Sequence, residues 1–178
     1  MKDETPLYDV LRDILADVNQ WLQYGEAKNG IMITVNLALI VGIGTVVTAW
    51  ENVPVPIVVA GIAISIGLLV GSMFSLVSFF PKLQKHSYAP ADRALEGGNL
   101  LFFGDIEKYA PRSYLEALAA SLGAKVGTHR LHEDLASQIV TNSIIATKKF
   151  KLFAIALRVS AYAIFFPVVA GLSYWGSL

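Results

Sequence analysis

With 54% hydrophobic residues, only 16% charged residues and a mean hydropathy of +0.54, this chain of 178 residues is excluded as an ordinary soluble globular protein. Its 14 basic and 14 acidic side chains cancel and so point to no partner, and the absence of cysteine excludes disulfide and thiolate chemistry.

Residues 1–30 read as a cytoplasmic amphipathic helix. Thr5 can cap it, Pro6 suits its first position, and Leu7, Leu11, Ile14, Val18 and Trp21 recur at three- and four-residue spacing. Asp3, Glu4 and Asp9 complement the positive end of its dipole. The apolar stripe suits a membrane surface or another helix, and the acidic opposite face favours a protein partner over anionic lipid. Gly25 and Gly30 flank Glu26, Lys28 and Asn29, which form a candidate hinge or interface; alternatively Lys28 snorkels at the inner edge of the membrane.

Residues 31–50, 54–80 and 152–175 carry no charge apart from Arg158 near the start of the last run. A membrane span needs about 20 such residues, because a helix rises about 1.5 Å per residue across a core about 30 Å thick. The first run follows an acidic segment and lacks a small-residue cleavage site, so it reads as a retained span and not as a signal peptide. The first two runs form a transmembrane hairpin, residues 31–80, and residues 150–178 form the third transmembrane helix. The short link at residues 51–53 has no Lys or Arg, whereas the segment between the second and third spans carries Lys82, Lys85, Arg93, Lys108, Arg112, Lys125, Arg130, Lys148, Lys149 and Lys151. By the positive-inside rule the N-terminus and that segment are cytoplasmic and the C-terminus lies outside. Trp50, Tyr174 and Trp175 would then mark the outer interface.

Residues 81–149 form a small helical module, marginal in size for a core of its own and expected to fold on the N-terminal helix. Its start, residues 81–91, reads as a linker, and Gly97-Gly98-Asn99 as a turn. Leu100 to Phe103 suits a brief strand or an extended segment. Pro111 opens a helix that Gly123 stops, and from Thr128 no Gly or Pro interrupts the chain before Pro167, so one long helix should run into the third span. Leu131, Leu135, Ile139, Ala146, Phe150 and Phe153 give that helix a buried stripe, with Asn142 its polar member. The resulting fold class is an all-α integral membrane protein, with three spans and a small helical cytoplasmic domain.

No phosphate-binding glycine loop, dinucleotide fingerprint or nucleophile elbow is present, so no enzyme, cofactor or catalytic residue is expected. His129, His132, Glu133 and Asp134 read as a polar helix start in preference to a metal site. Arg112 and Arg130 stand near expected helix N-termini, where backbone N–H groups attract phosphate, although each also suits a solvated surface charge. Phe102, Phe103 and Tyr109 suit either core packing or stacking on a base. In the spans, Gly67, Gly71 and Ser75 line one face of the second, and Ser160 and Ala163 one face of the third. Such small residues suit close helix contact within or between protomers.

Three stretches carry a resemblance to a known family. They are Trp21-Leu22 through Glu26-Ala27-Lys28-Asn29-Gly30, the run Asn99-Leu100-Leu101-Phe102-Phe103-Gly104-Asp105-Ile106 followed by Tyr114-Leu115, and Glu133-Asp134-Leu135-Ala136-Ser137-Gln138-Ile139 through Asn142, Ile145-Ala146 and Lys148-Lys149. In order and spacing the chain resembles the transmembrane effectors of the bacterial Pycsar anti-phage system. The resemblance implies a receptor for a cyclic pyrimidine mononucleotide, of the cCMP or cUMP class, made by a partner cyclase during infection. It also implies an output, impairment of the inner membrane that halts growth as abortive infection. No classical cyclic-nucleotide-binding β-roll fits the helical pattern. The ligand-binding residues expected on this reading are Phe102, Phe103, Asp105, Arg112 and Arg130, and the expected partners are the lipid bilayer, further copies of the chain and the nucleotide, with no nucleic acid polymer. A membrane anchor that docks a partner protein and a small channel component are the alternatives. The lack of Asp and Glu in the spans argues against an ion-coupled transporter.

Overall fold

The computed structural model describes residues 5–80, 98–124 and 130–175. They form α1 (Thr5–Ala49), α2 (Val55–Val77), α3 (Phe103–Ile106), α4 (Pro111–Ser121) and α5 (Arg130–Trp175), with no strand among the described residues. Stretches of α1, α2 and α5 are long and apolar enough to cross a membrane, so the chain is an all-α, multi-pass membrane protein.

The helix ends follow from turn chemistry. Between α1 and α2, Asn52 adopts a left-handed conformation (φ 63°) that Asn tolerates well. The Pro54 carbonyl then accepts the first N–H groups of α2, from Ile57 and Val58. α4 opens on Pro111 and ends before Gly123, whose φ of 64° costs a glycine nothing. Pro167 lies inside α5, and the helix continues past it to Trp175.

One local expectation changes here. Leu100 to Phe103 is neither strand nor extended run: Leu100 and Leu101 form a turn, and Phe102 alone is extended (φ −95°, ψ 119°) before α3. The reason is local, since the Asn99 side chain accepts the Leu101 N–H at 2.9 Å and bends the chain there. At Gly25 and Gly30, beside the candidate hinge, α1 is continuous helix. Asp3, Glu4, the linker at 81–91, Gly97, Thr128 and His129 lie outside the described residues.

The chain forms two compact units, one of Met1–Gly25 with Lys82–Lys149 and the other of Glu26–Pro81 with Phe150–Leu178. α1 and α5 each contribute residues to both. In the first unit Leu7, Leu11, Ile14 and Val18 of α1 meet Ile106 and Tyr109, Tyr114, Leu115 and Leu118 of α4, and Ala136, Ile139 and Val140 of α5 in one apolar core. Removing each Leu or Ile from water contributes about 1.5–3 kcal/mol. The stripe of α5 is shifted from its expected place: Leu131 is 54% exposed, Leu135 is only partly buried, and Ala136 and Val140 take the inner positions. Asn142 donates to Asn19 Oδ1 at 2.7 Å, tying α5 to α1.

In the second unit α2 runs antiparallel to both its neighbours. Gly61 faces Ile43 and Val47 of α1, and further along α2 the Leu68 carbonyl and Ser72 face Asn36. α1 and α5 run parallel, with Lys28 near Phe150 and Phe153 and Asn36 against Ser160.

Candidate functional site

In the first unit the expected ligand residues separate into two groups. One is built on the turn before α3. The Asn99 N–H donates to Asp105 Oδ2 at 3.1 Å, and Lys108 Nζ donates to Asp105 Oδ1 at 2.6 Å. The Lys108 ammonium and the Asn99 N–H hold the Asp105 carboxyl below its ordinary range, and the pairing raises Lys108 in turn. Asp105 therefore fastens its own turn.

The turn sets a short row of rings. Phe102 and Phe103 lie 4.7 Å apart, Phe103 and Trp21 5.7 Å, and Trp21 and Tyr24 6.2 Å edge-on. Phe103 is buried, whereas Phe102, Trp21 and Tyr24 are each about half exposed. A Cβ at Gly104 would stand 2.6 Å from the Phe102 ring, so glycine is what lets that ring fold back. Tyr109 is buried against Tyr114, which removes it from any surface stack. The Tyr114 hydroxyl donates to the Leu100 carbonyl at 2.9 Å, and burial pushes its pKa up.

The other group is ionic. Arg112, in the first turn of α4, donates through Nε to Glu116 at 2.9 Å and through a terminal nitrogen to Glu133 of α5. These two carboxylates, Glu116 foremost, raise the guanidinium pKa. They engage Nε and one terminal nitrogen, two of the guanidinium's five N–H donors. Arg130 is more than nine-tenths exposed and stands 3.8 Å from Asp134. No described contact joins either arginine to the ring row. His132 is buried beside exposed Glu133 and Asp134, and among the described residues no group of three metal-ligating side chains converges.

In the second unit the small residues meet within one chain. A Cβ on Gly67 would collide with the Ala163 side chain, and one on Gly71 with Ser160 Oγ, so α2 and α5 pack backbone to backbone here. Between them lies a residue that sequence reading passed over. Asn36, 1% exposed, directs Nδ2 at the Leu68 carbonyl (3.1 Å), Ser72 Oγ (3.1 Å) and Ser160 Oγ (2.9 Å). The available signal was a lone amide inside an apolar run, which is costly in a membrane unless it is paired. Ser75 is fully buried, and its hydroxyl has no hydrogen-bond partner. Of the expected hinge residues, Asn29 is fully buried, Glu26 is half-buried, and Lys28 places Nζ 5.4 Å from the centre of each of the Phe150 and Phe153 rings, within cation–π range. An open groove of about 450 Å³ between α1 and α2 is lined by apolar side chains and glycine, including Leu39, Gly42, Ile43 and Ile57, and offers a phosphate no charged partner.

Comparison with known proteins fits this two-part build. The family model of the Pycsar effector protein domain matches residues 10–176, and so takes in both units. A similar curated protein, the Pycsar effector protein RsPycTM of a Rhizobium species, is 32% identical over 136 residues, 74% of this chain and 75% of the relative. No solved structure matches the chain. On the strength of a match running from the first unit through all three apolar helices, the chain belongs to the Pycsar transmembrane effector family of antiviral defence.

Proposed function

We propose that this protein is a non-enzymatic effector that binds a cyclic mononucleotide of the cCMP or cUMP class, supplied by a partner cyclase, and then impairs the bacterial inner membrane to produce abortive infection. The observation that carries the reading is that α1 and α5 each contribute to a soluble core and to the membrane bundle. A ligand that prefers one arrangement of the soluble core has, in these helices, a direct means of biasing the spans. The basic residues between the second and third spans support a cytoplasmic soluble unit, an N-terminus inside and a C-terminus outside. Copies of the chain assemble in the membrane, because three helices by themselves enclose no aqueous path.

Arg112 is the phosphate ligand on this reading. In the resting protein two of its donors are held by Glu116 and Glu133; the nucleotide phosphate displaces Glu133, which belongs to α5, and so frees the start of that helix. Phe102 offers the base a half-exposed ring. The test uses full-length protein in liposomes loaded with a self-quenching dye, to which cCMP or cUMP is added. Dye release is expected from wild type. Arg112→Ala should need roughly ten- to hundredfold more nucleotide, the usual loss for a charge-assisted phosphate contact, and Arg130→Ala should shift the dose less. Release that ignores both substitutions removes the phosphate site. No release with either nucleotide favours an anchor that docks a partner protein.

A further inference from the structure

We propose that Asn36 is the latch that holds the three spans closed, and that the hydroxyl face it ties down, Ser72, Ser75 and Ser160, is the surface that meets water when the spans part. The inference rests on the reading of the protein as a membrane effector, but it concerns the bundle and not the nucleotide.

Most hydroxyls of the second unit are satisfied locally. Thr34, Thr45, Thr48, Ser65, Ser72 and Ser173 each donate to the carbonyl four residues back on their own helix, which gives the hydroxyl proton a partner without any neighbouring helix. Asn36 does the opposite. Its one amide nitrogen has two hydrogens and three acceptors, two on α2 and one on α5, so a single side chain bonds α1 to both other spans. In a medium with no water to replace lost bonds, such a node disfavours separation of all three helices together.

The face under the latch is poorly suited to staying dry. Ser75 lies one turn beyond Ser72 and is fully buried with an unpartnered hydroxyl, a group that ordinarily finds a protein or water partner. The outward faces of the same helices are apolar, with Met73, Val70 and Leu69 on α2 all exposed. If the helices part, Ser75 gains the hydration it lacks, and Ser72 and Ser160 need water in place of the Asn36 N–H, although Ser72 keeps its own bond to the Leu68 carbonyl. Interhelical hydrogen bonds of this kind change an equilibrium by severalfold to about tenfold.

The chain has no cysteine, so a single introduced thiol is a unique reporter. Cells without any cyclase express wild type, Asn36→Leu or Ser160→Ala at matched membrane levels, each with and without Ser75→Cys or the outward Met73→Cys. Dye entry and labelling by a positively charged methanethiosulfonate reagent are both measured. Asn36→Leu should raise nucleotide-independent dye entry up to about tenfold and render Ser75→Cys reactive, while Met73→Cys stays unlabelled. Ser160→Ala removes one acceptor with little change in volume and should give a smaller rise, which keeps the test decisive if Asn36→Leu fails to accumulate. Variants that insert normally yet match the wild type in both readouts overturn the latch, and leakage with Ser75→Cys unlabelled overturns the assignment of the wet face. Latch variants that leak while wild type ignores cCMP and cUMP would leave the latch standing and remove the nucleotide reading. Tight latch variants beside a responsive wild type would do the reverse.

Discussion

The two compact units differ in what fills their centres. In the first, the core is a cluster of Leu, Ile, Val, Tyr and Ala, with His132, Ser143, Thr147 and Lys149 the buried polar side chains along α5; in the second, Leu68, Met32 and Ala156 share the interior with Asn29, Asn36, Gly71, Ser72, Ser75 and Ser160, while most Val, Leu and Phe face outward. α1 shows the change within one helix, from Leu7, Leu11, Ile14 and Val18 to Asn29, Met32 and Asn36 on its inner face. Water rewards the burial of apolar surface and hydrocarbon does not, so the membrane unit must hold itself by close approach and hydrogen bonds. A sequence rule calibrated on one unit would misread the other.

The comparison can be tested at three levels. The largest effect should come from the water-built core: Leu115→Ala, at a fully buried site, should destabilise the full chain in detergent by about 2–5 kcal/mol in denaturant unfolding, while Met73→Ala on the outward face of α2 should change little. Equal effects would break the contrast. Next comes steric fit in the membrane unit, where Gly71→Val forces α2 away from Ser160 and should cost about 1–3 kcal/mol in thermal unfolding. Gly42→Val, at a position with no atom near its added side chain, should leave the midpoint where it was. The smallest effect concerns pH. The Asp105 carboxyl is lowered in the fold relative to its ordinary value of 3.8, so its contribution is present above that pH and is lost as pH falls toward the folded value. Wild type should therefore lose melting temperature more steeply than Asp105→Asn between pH 5 and 3, and parallel curves would deny Asp105 its fastening role.

Legibility in the sequence followed the strength of the physical signal. Long apolar runs, Pro at helix starts, Gly123 at a helix stop and the α1 stripe are local patterns, and the helices formed where those patterns placed them. Leu131 went astray because a one-residue change in helix phase rotates a face by about 100°, and only the neighbouring helices decide the phase. The turn at Asn99 to Leu101 was missed for a different reason: four apolar residues outvoted one side-chain hydrogen bond in the pattern. At the candidate site, Arg112 and its helical neighbour Glu116 were visible but the bond to Glu133 was not, since Glu133 lies 21 residues away along the chain. Asn36 was in plain view, and it meant little until Ser72 and Ser160 were seen beside it.

The partnership of α1 with α5 has a consequence for biosynthesis. Asn19 waits for Asn142, and Asn36 for Ser160, partners on α5 that lie 123 and 124 residues further along. Contacts of such long range form late and slowly. A ribosome therefore exposes a hairpin of two apolar helices well before the core of the first unit or the three-helix bundle can be completed, and a product stalled before α5 lacks both. Neither unit can be assembled until α5 has been read.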